Sequence, residues 1–179
     1  MAIVDSDKRY IFIHIFKTAG NSVRQAMGVD PEETKEFMGG HVDSWAVRHG
    51  LGKHDRGDDW DNFFKFTFVR NPFDWLVSVY HHMKTWGEGW RQAPVKEQNM
   101  SFEQFLNYIV FDLMSKEQDP TINKYQLQKD FVTDHDGAVM VDFIGRFEHL
   151  DRDVKVICRK LLKGPAWIQA MLLPHPKRT

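Results

Sequence analysis

Apolar positions in this chain fall into short unbroken runs that alternate with stretches of helical spacing. Tyr10-Ile11-Phe12-Ile13-His14-Ile15 is rich in β-branched and aromatic residues and predicts a buried parallel strand. Lys17-Thr18-Ala19-Gly20-Asn21-Ser22 interrupts it, and Val23 to Met27 resumes as helix, giving strand, tight loop, helix. Gly28 to Gly40 is a connection containing Pro31. Asp43 is placed to cap a short helix from Ser44 to His49, and Gly50 to Asp61 is polar and reads as a loop. Phe63 to Val69 is a second strong strand, ended by Asn71-Pro72, after which Phe73 to Lys84 is helical with Pro72 near its start.

Trp86 to Met100 has no periodicity and reads as a long surface loop. Ser101 and Gln104 form a capping box for a helix whose stripe is Phe102, Phe105, Leu106, Ile109, Val110 and Leu113. Asp134-His135-Asp136-Gly137 is a turn before a strand from Ala138 to Ile144. Asp151 or Asp153 then starts a last helix carrying Val154, Ile157, Cys158 and Leu161. Strands alternating with helices predict an α/β domain with a mainly parallel sheet, whose ligands bind beyond the carboxyl ends of the strands. Lys17 and Arg70 both fall just past predicted strand ends.

Composition narrows the class. With 179 residues, 42% hydrophobic and 27% charged, the chain suits one folded domain, read as residues 1–179. A net charge of −1 gives no global pull toward nucleic acid or anionic membrane, so any anion site is local. The single cysteine, Cys158, has no partner for an internal disulfide and reads as a small buried hydrophobe. No Cys/His spacing suggests a metal site. Met1 to Arg9 is short and polar, without the apolar core of a signal peptide, so the expected location is cytoplasmic.

The chemistry-bearing residues fall in two places. A loop entering a helix directs backbone N–H groups at one spot, where Gly20 permits close approach. Lys17 adds charge, and Thr18, Asn21 and Ser22 add donors, which together suit a phosphate or phosphosulfate. The plain alternative is a solvated lysine beside an ordinary cap. The loop is not a Walker A motif, because Lys17 precedes the glycine and no Gly-Lys-Ser/Thr follows. Arg70, leaving the second strand, and Ser78, about two turns into the next helix, can bind a second phosphate. The alternative makes Arg70 a cap or carboxylate partner and Ser78 a packing residue.

Ile13 to Ser22 resembles the 5′-phosphosulfate loop of sulfotransferases that use 3′-phosphoadenosine 5′-phosphosulfate (PAPS), although Phe16 stands where that family usually has proline. Phe68 to Tyr80 resembles their 3′-phosphate motif, and Phe143-Ile144-Gly145-Arg146-Phe147-Glu148-His149-Leu150 resembles a third block of the carbohydrate and bacterial branch. The resemblance spans roughly residues 10 to 162 in order. It implies a P-loop nucleotide-kinase-like three-layer fold, PAPS as donor, a carbohydrate or other hydroxyl as acceptor, and no metal. It implies that Lys17, Thr18, Ala19, Gly20, Asn21 and Ser22 hold the 5′ side, and Arg70 and Ser78 the 3′-phosphate.

Gly39-Gly40-His41-Val42 resembles the glycine-histidine element that follows the donor loop in hexuronyl-type and related bacterial sulfotransferases, and His41 is the chosen general base among nine histidines. His14 reads as buried in its strand. His81, His82 and Glu148 are lesser candidates, and Trp75, Tyr80, Trp86 and Trp90 carry no assignment. Leu173 to Thr179 resembles the start of a segment that in the family continues into a basic loop and terminal helices, which this chain is expected to lack. Two other readings remain: a catalytically silent nucleotide-binding domain, and a small-molecule kinase.

Overall fold

A computed structural model describes residues 2–29, 36–37, 41–53, 57–85, 95, 98–114 and 127–162. The chain divides into two compact units, one of residues 1–69 with 127–179 and one of residues 70–126.

The first unit is built on a mixed five-stranded sheet. Its strands are β1 (Ala2–Asp5), β2 (Tyr10–Ile13), β3 (Glu36–Phe37), β4 (Phe64–Val69) and β5 (Phe143–Arg146), in the order β3-β1-β2-β4-β5. β2 runs parallel to β4, and β4 to β5; β1 is antiparallel to both its neighbours. Ile13 pairs with Thr67 and Val69 with Arg146, so β2, β4 and β5 point their carboxyl ends to one edge.

Alternation along β2 supplies two cores. Ile11 and Ile13 face one side, where they pack with Val47, Leu51, Trp60, Phe63 and Phe131. Tyr10 and Phe12 face the other and pack with Val23, Met27, Phe66, Phe68, Ile157 and Cys158. The first set brings in α2 (Ser44–Lys53) and α3 (Gly57–Asn62), and the second brings in α1 (Gly20–Ala26) and the last helix (Leu150–Leu161). The sheet is thus covered by helices on both faces.

Asp43 caps α2 as expected, accepting from the Ala46 N–H at 2.7 Å. The helix runs to Lys53, and α3 occupies part of the segment read as loop between Gly50 and Asp61. Residues 2–5, read as a polar lead-in, form β1 and hairpin onto β2. The strand expected from Ala138 to Ile144 is displaced: Val139 makes only an isolated bridge to Thr133, and β5 begins at Phe143. Gly145 explains the register. A methyl group there would lie 2.4 Å from Phe68 Cε1, so only glycine fits opposite that ring. The turn before it forms as expected: Asp134 Oδ1 accepts from the N–H groups of Asp136 and Ala138, and Gly137 takes φ 82°.

The last helix starts at Leu150, ahead of the two aspartates proposed as its start. Asp153 reaches back from its first turn and accepts from Arg146 N at 2.8 Å and from Arg152 Nε at 2.8 Å. Burial of Asp153 pushes its carboxyl up, but those two hydrogen bonds and the Arg152 charge outweigh it and hold the group below its usual value. Cys158 is buried against Met27, with its thiol pushed up by burial.

The second unit contains α4 (Pro72–Thr85) and α5 (Phe102–Met114). Asn71 caps α4, accepting from the Phe73 N–H at 2.9 Å, which leaves Pro72 at the first helical position. Ser101 and Gln104 form the expected capping box, with Ser101 N donating to Gln104 Oε1 at 2.8 Å and Gln104 N to Ser101 Oγ at 3.2 Å. Tyr80 packs its ring on Phe102 and Phe105 and donates to the Met100 carbonyl at 2.9 Å.

Candidate active site

The donor-loop candidate is built by the end of β2. Three successive carbonyls there are taken by side chains, where the strand ceases to supply all the partners. Ile13 O accepts from Thr67 Oγ1 at 2.7 Å, His14 O from His41 Nδ1 at 2.8 Å, and Ile15 O from Thr18 Oγ1 at 2.9 Å. The Thr18 hydroxyl therefore spends its proton inside the loop and faces any ligand only through its N–H or as an acceptor.

Lys17 and Ala19 both sit at positive φ, 60° and 75°. Neither is glycine, and such residues cost about 1–3 kcal/mol each. α1 follows, with Ala19 as its N-cap making no side-chain cap bond. Its first intrahelical bond runs from Val23 N to Ala19 O at 3.0 Å, so the N–H groups of Gly20, Asn21 and Ser22 precede the intrahelical ladder.

Gly20 has a different explanation from the one its sequence context suggests. A methyl group on it would lie 1.8 Å from His14 Nε2, 2.0 Å from Cδ2 and 2.4 Å from Cε1. The glycine makes room for the His14 imidazole, whatever else approaches the loop.

His14 is buried, stacked on Phe12 with ring centroids 5.7 Å apart and edge-on to His41 at 4.9 Å. Burial, then nearby positive charge including His41 and Arg24, hold its pKa well below the usual 6.5, so the ring is neutral near neutral pH. His41, 27 residues further on, also meets Phe16 edge-on at 5.2 Å. The structure therefore brings His41 to the loop, against the residues on either side of Ile15.

Arg70 and Ser78 belong to the second unit, Arg70 directly after β4 and Ser78 within α4, both partly buried. In that unit His81 is exposed and His82 partly buried. Glu148 is exposed in the short turn Phe147–His149. Arg146 itself, exposed at the end of β5, is a cation on the carboxyl edge that motif spacing did not single out. Trp86, Trp90 and residues 163–179 lie outside the described residues. Among the described residues no three His, Cys, Asp or Glu side chains group as metal ligands would, and no helix is long and apolar enough to cross a membrane.

A family model described as "Sulfotransferase family" matches residues 1–163. The chain belongs to the sulfotransferase family. An uncharacterized protein of Archaeoglobus fulgidus is 27% identical over 120 residues, covering 66% of this chain and 80% of the relative. No solved structure matches. Membership makes this sulfotransferase a group-transfer protein whose class of acceptor is a hydroxyl, and it fits a mixed α/β sheet flanked by helices.

Proposed function

We propose that this protein transfers a sulfuryl group from PAPS to a hydroxyl of a carbohydrate or glycoconjugate, on a nucleotide-kinase-like fold. The observation that carries the reading is the meeting of a strained, cationic loop with a distant histidine. Lys17 and Ala19 hold left-handed backbone ahead of the uncapped first turn of α1, and His41 is tethered to the same loop through His14 O. Left-handed residues turn neighbouring N–H groups toward one side, an arrangement suited to an anion.

In this reading Lys17 and the N–H groups from Thr18 to Ser22 hold the 5′ phosphosulfate, and Ala19 and Gly20 contribute backbone only. Arg70 and Ser78 hold the 3′-phosphate. Lys17 and the fixed N–H groups oppose negative charge as it builds on the leaving phosphate. His41 removes the proton of the attacking hydroxyl.

The test of the donor is calorimetry with 3′-phosphoadenosine 5′-phosphate against ADP. The 3′-phosphorylated nucleotide binds tighter, and Arg70→Ala weakens it at least tenfold while ADP changes little. A lost charge-assisted hydrogen bond of about 1.5–3 kcal/mol corresponds to that factor. Equal affinity for the two nucleotides would remove the reason to prefer PAPS and favour a kinase. Tight binding with no transfer to any hydroxyl would leave a silent nucleotide-binding domain.

A further inference from the structure

His14 is absent from the donor and base roles above, yet it touches both. Its carbonyl accepts the 2.8 Å hydrogen bond from His41 Nδ1. A carbonyl oxygen only accepts, so that nitrogen carries the proton. In neutral His41 the lone pair is then on Nε2. Free histidine in water favours the opposite tautomer, so this state is imposed by the fold. The His14 ring completes the arrangement: it stands edge-on to His41 at 4.9 Å, is stacked on Phe12, and fills the space above Gly20 that a methyl group would need. Its Nδ1 is buried and makes no hydrogen bond, which fits an uncharged ring serving as a wall.

We propose that His14 is the positioning residue of this site: its carbonyl fixes His41 as the Nδ1–H tautomer, and its ring, wedged between Gly20 and His41, keeps that contact in place. The inference rests on the reading of His41 as base and names the nitrogen that acts. The acceptor O–H proton passes to His41 Nε2 as the oxygen's electron pair forms the new O–S bond. The S–O bond to the phosphate breaks, and its electron pair leaves with the phosphate. His41 becomes an imidazolium whose Nδ1–H still donates to His14 O, now as a charge-assisted bond, and the proton is later released to water. Because the His14 ring stays uncharged, it sets no second cation beside that imidazolium.

Two-bond ¹H–¹⁵N correlation spectra of the full chain, uniformly labelled at histidine, test this without any substrate. The His41 signals are assigned by their loss in His41→Gln. At a pH where His41 is neutral, the wild-type protein shows Nδ1 at a protonated shift and Nε2 at an unprotonated one. A majority Nε2–H tautomer, or an even mixture, overturns the proposal. His14→Ala, which keeps the carbonyl and removes the ring, shows both tautomers of His41; a spectrum identical to wild type overturns the part assigned to the ring. Failure of the base reading is separate, since it is read from turnover of His41→Ala and not from the spectrum.

Discussion

Gly20→Ala sets two physical effects against each other. In a helix, alanine is favoured over glycine by about 1 kcal/mol, so local propensity alone makes the variant more stable. The steric term points the other way. The added methyl would lie 1.8 Å from His14 Nε2, with two further ring atoms at 2.0 and 2.4 Å, all inside the 3.0 Å that real contacts respect. The ring cannot swing away freely, because Phe12 stacks on it and His41 stands against its edge. Overpacking of this kind costs about 1–3 kcal/mol. Three ring atoms inside that limit put the steric cost at the upper end, about 2–3 kcal/mol, so the net loss after the propensity gain is about 1–2 kcal/mol. Urea unfolding at fixed pH reads it as a lower midpoint. The decisive comparison is a double-mutant cycle: in a His14→Ala background the same substitution meets no ring and is neutral or stabilising. If Gly20→Ala is as stable as wild type, or if its cost is unchanged without the His14 ring, the packing argument is wrong.

Two further outcomes follow from buried titratable groups. His14 has a folded pKa well below its unfolded 6.5, so between those values the unfolded chain binds one more proton; stability falls as pH drops below 6.5, approaching about 1.4 kcal/mol per pH unit, until the folded value is reached. Urea unfolding from pH 7.5 to 5 shows a shallower decline in His14→Phe than in wild type, and equal slopes would place the ring in a solvated site. Asp153→Ala removes the acceptor for Arg146 N and costs about 1–3 kcal/mol, mostly from that bond because Arg152 is exposed. Since the folded pKa of Asp153 lies below 3.8, its contribution is present above that pH and is lost as pH falls through the folded value, so wild type and variant converge in acid.

The elements that could be read from the chain are those whose signal is local. β2 and β4 are apolar runs, and Asp43 and Ser101 with Gln104 cap the helices they were expected to cap. β1 escaped because four residues beside a polar turn carry little periodicity and become a strand only by pairing with β2. The segment from Ala138 looked like a strand by composition, yet pairing with β4 is set further on, where Gly145 accommodates Phe68. At the candidate site, Lys17, Gly20 and His41 were legible as residue types in a familiar order. What Gly20 accommodates, where the Thr18 proton goes and which His41 nitrogen is held all depend on contacts made after folding, including one across 27 residues.

The central claim is sulfuryl transfer from PAPS with His41 as base. Its most direct test incubates the protein with PAPS and a panel of oligosaccharides, in the presence of EDTA, and searches by mass spectrometry for products one SO3 heavier. Wild type forms such a product, and His41→Ala forms about 10²–10⁴-fold less while binding 3′-phosphoadenosine 5′-phosphate as before. A His41→Ala protein that turns over at the wild-type rate would contradict the assigned base. Absence of any sulfated product across the panel, or transfer that depends on magnesium and ATP, would contradict the function itself.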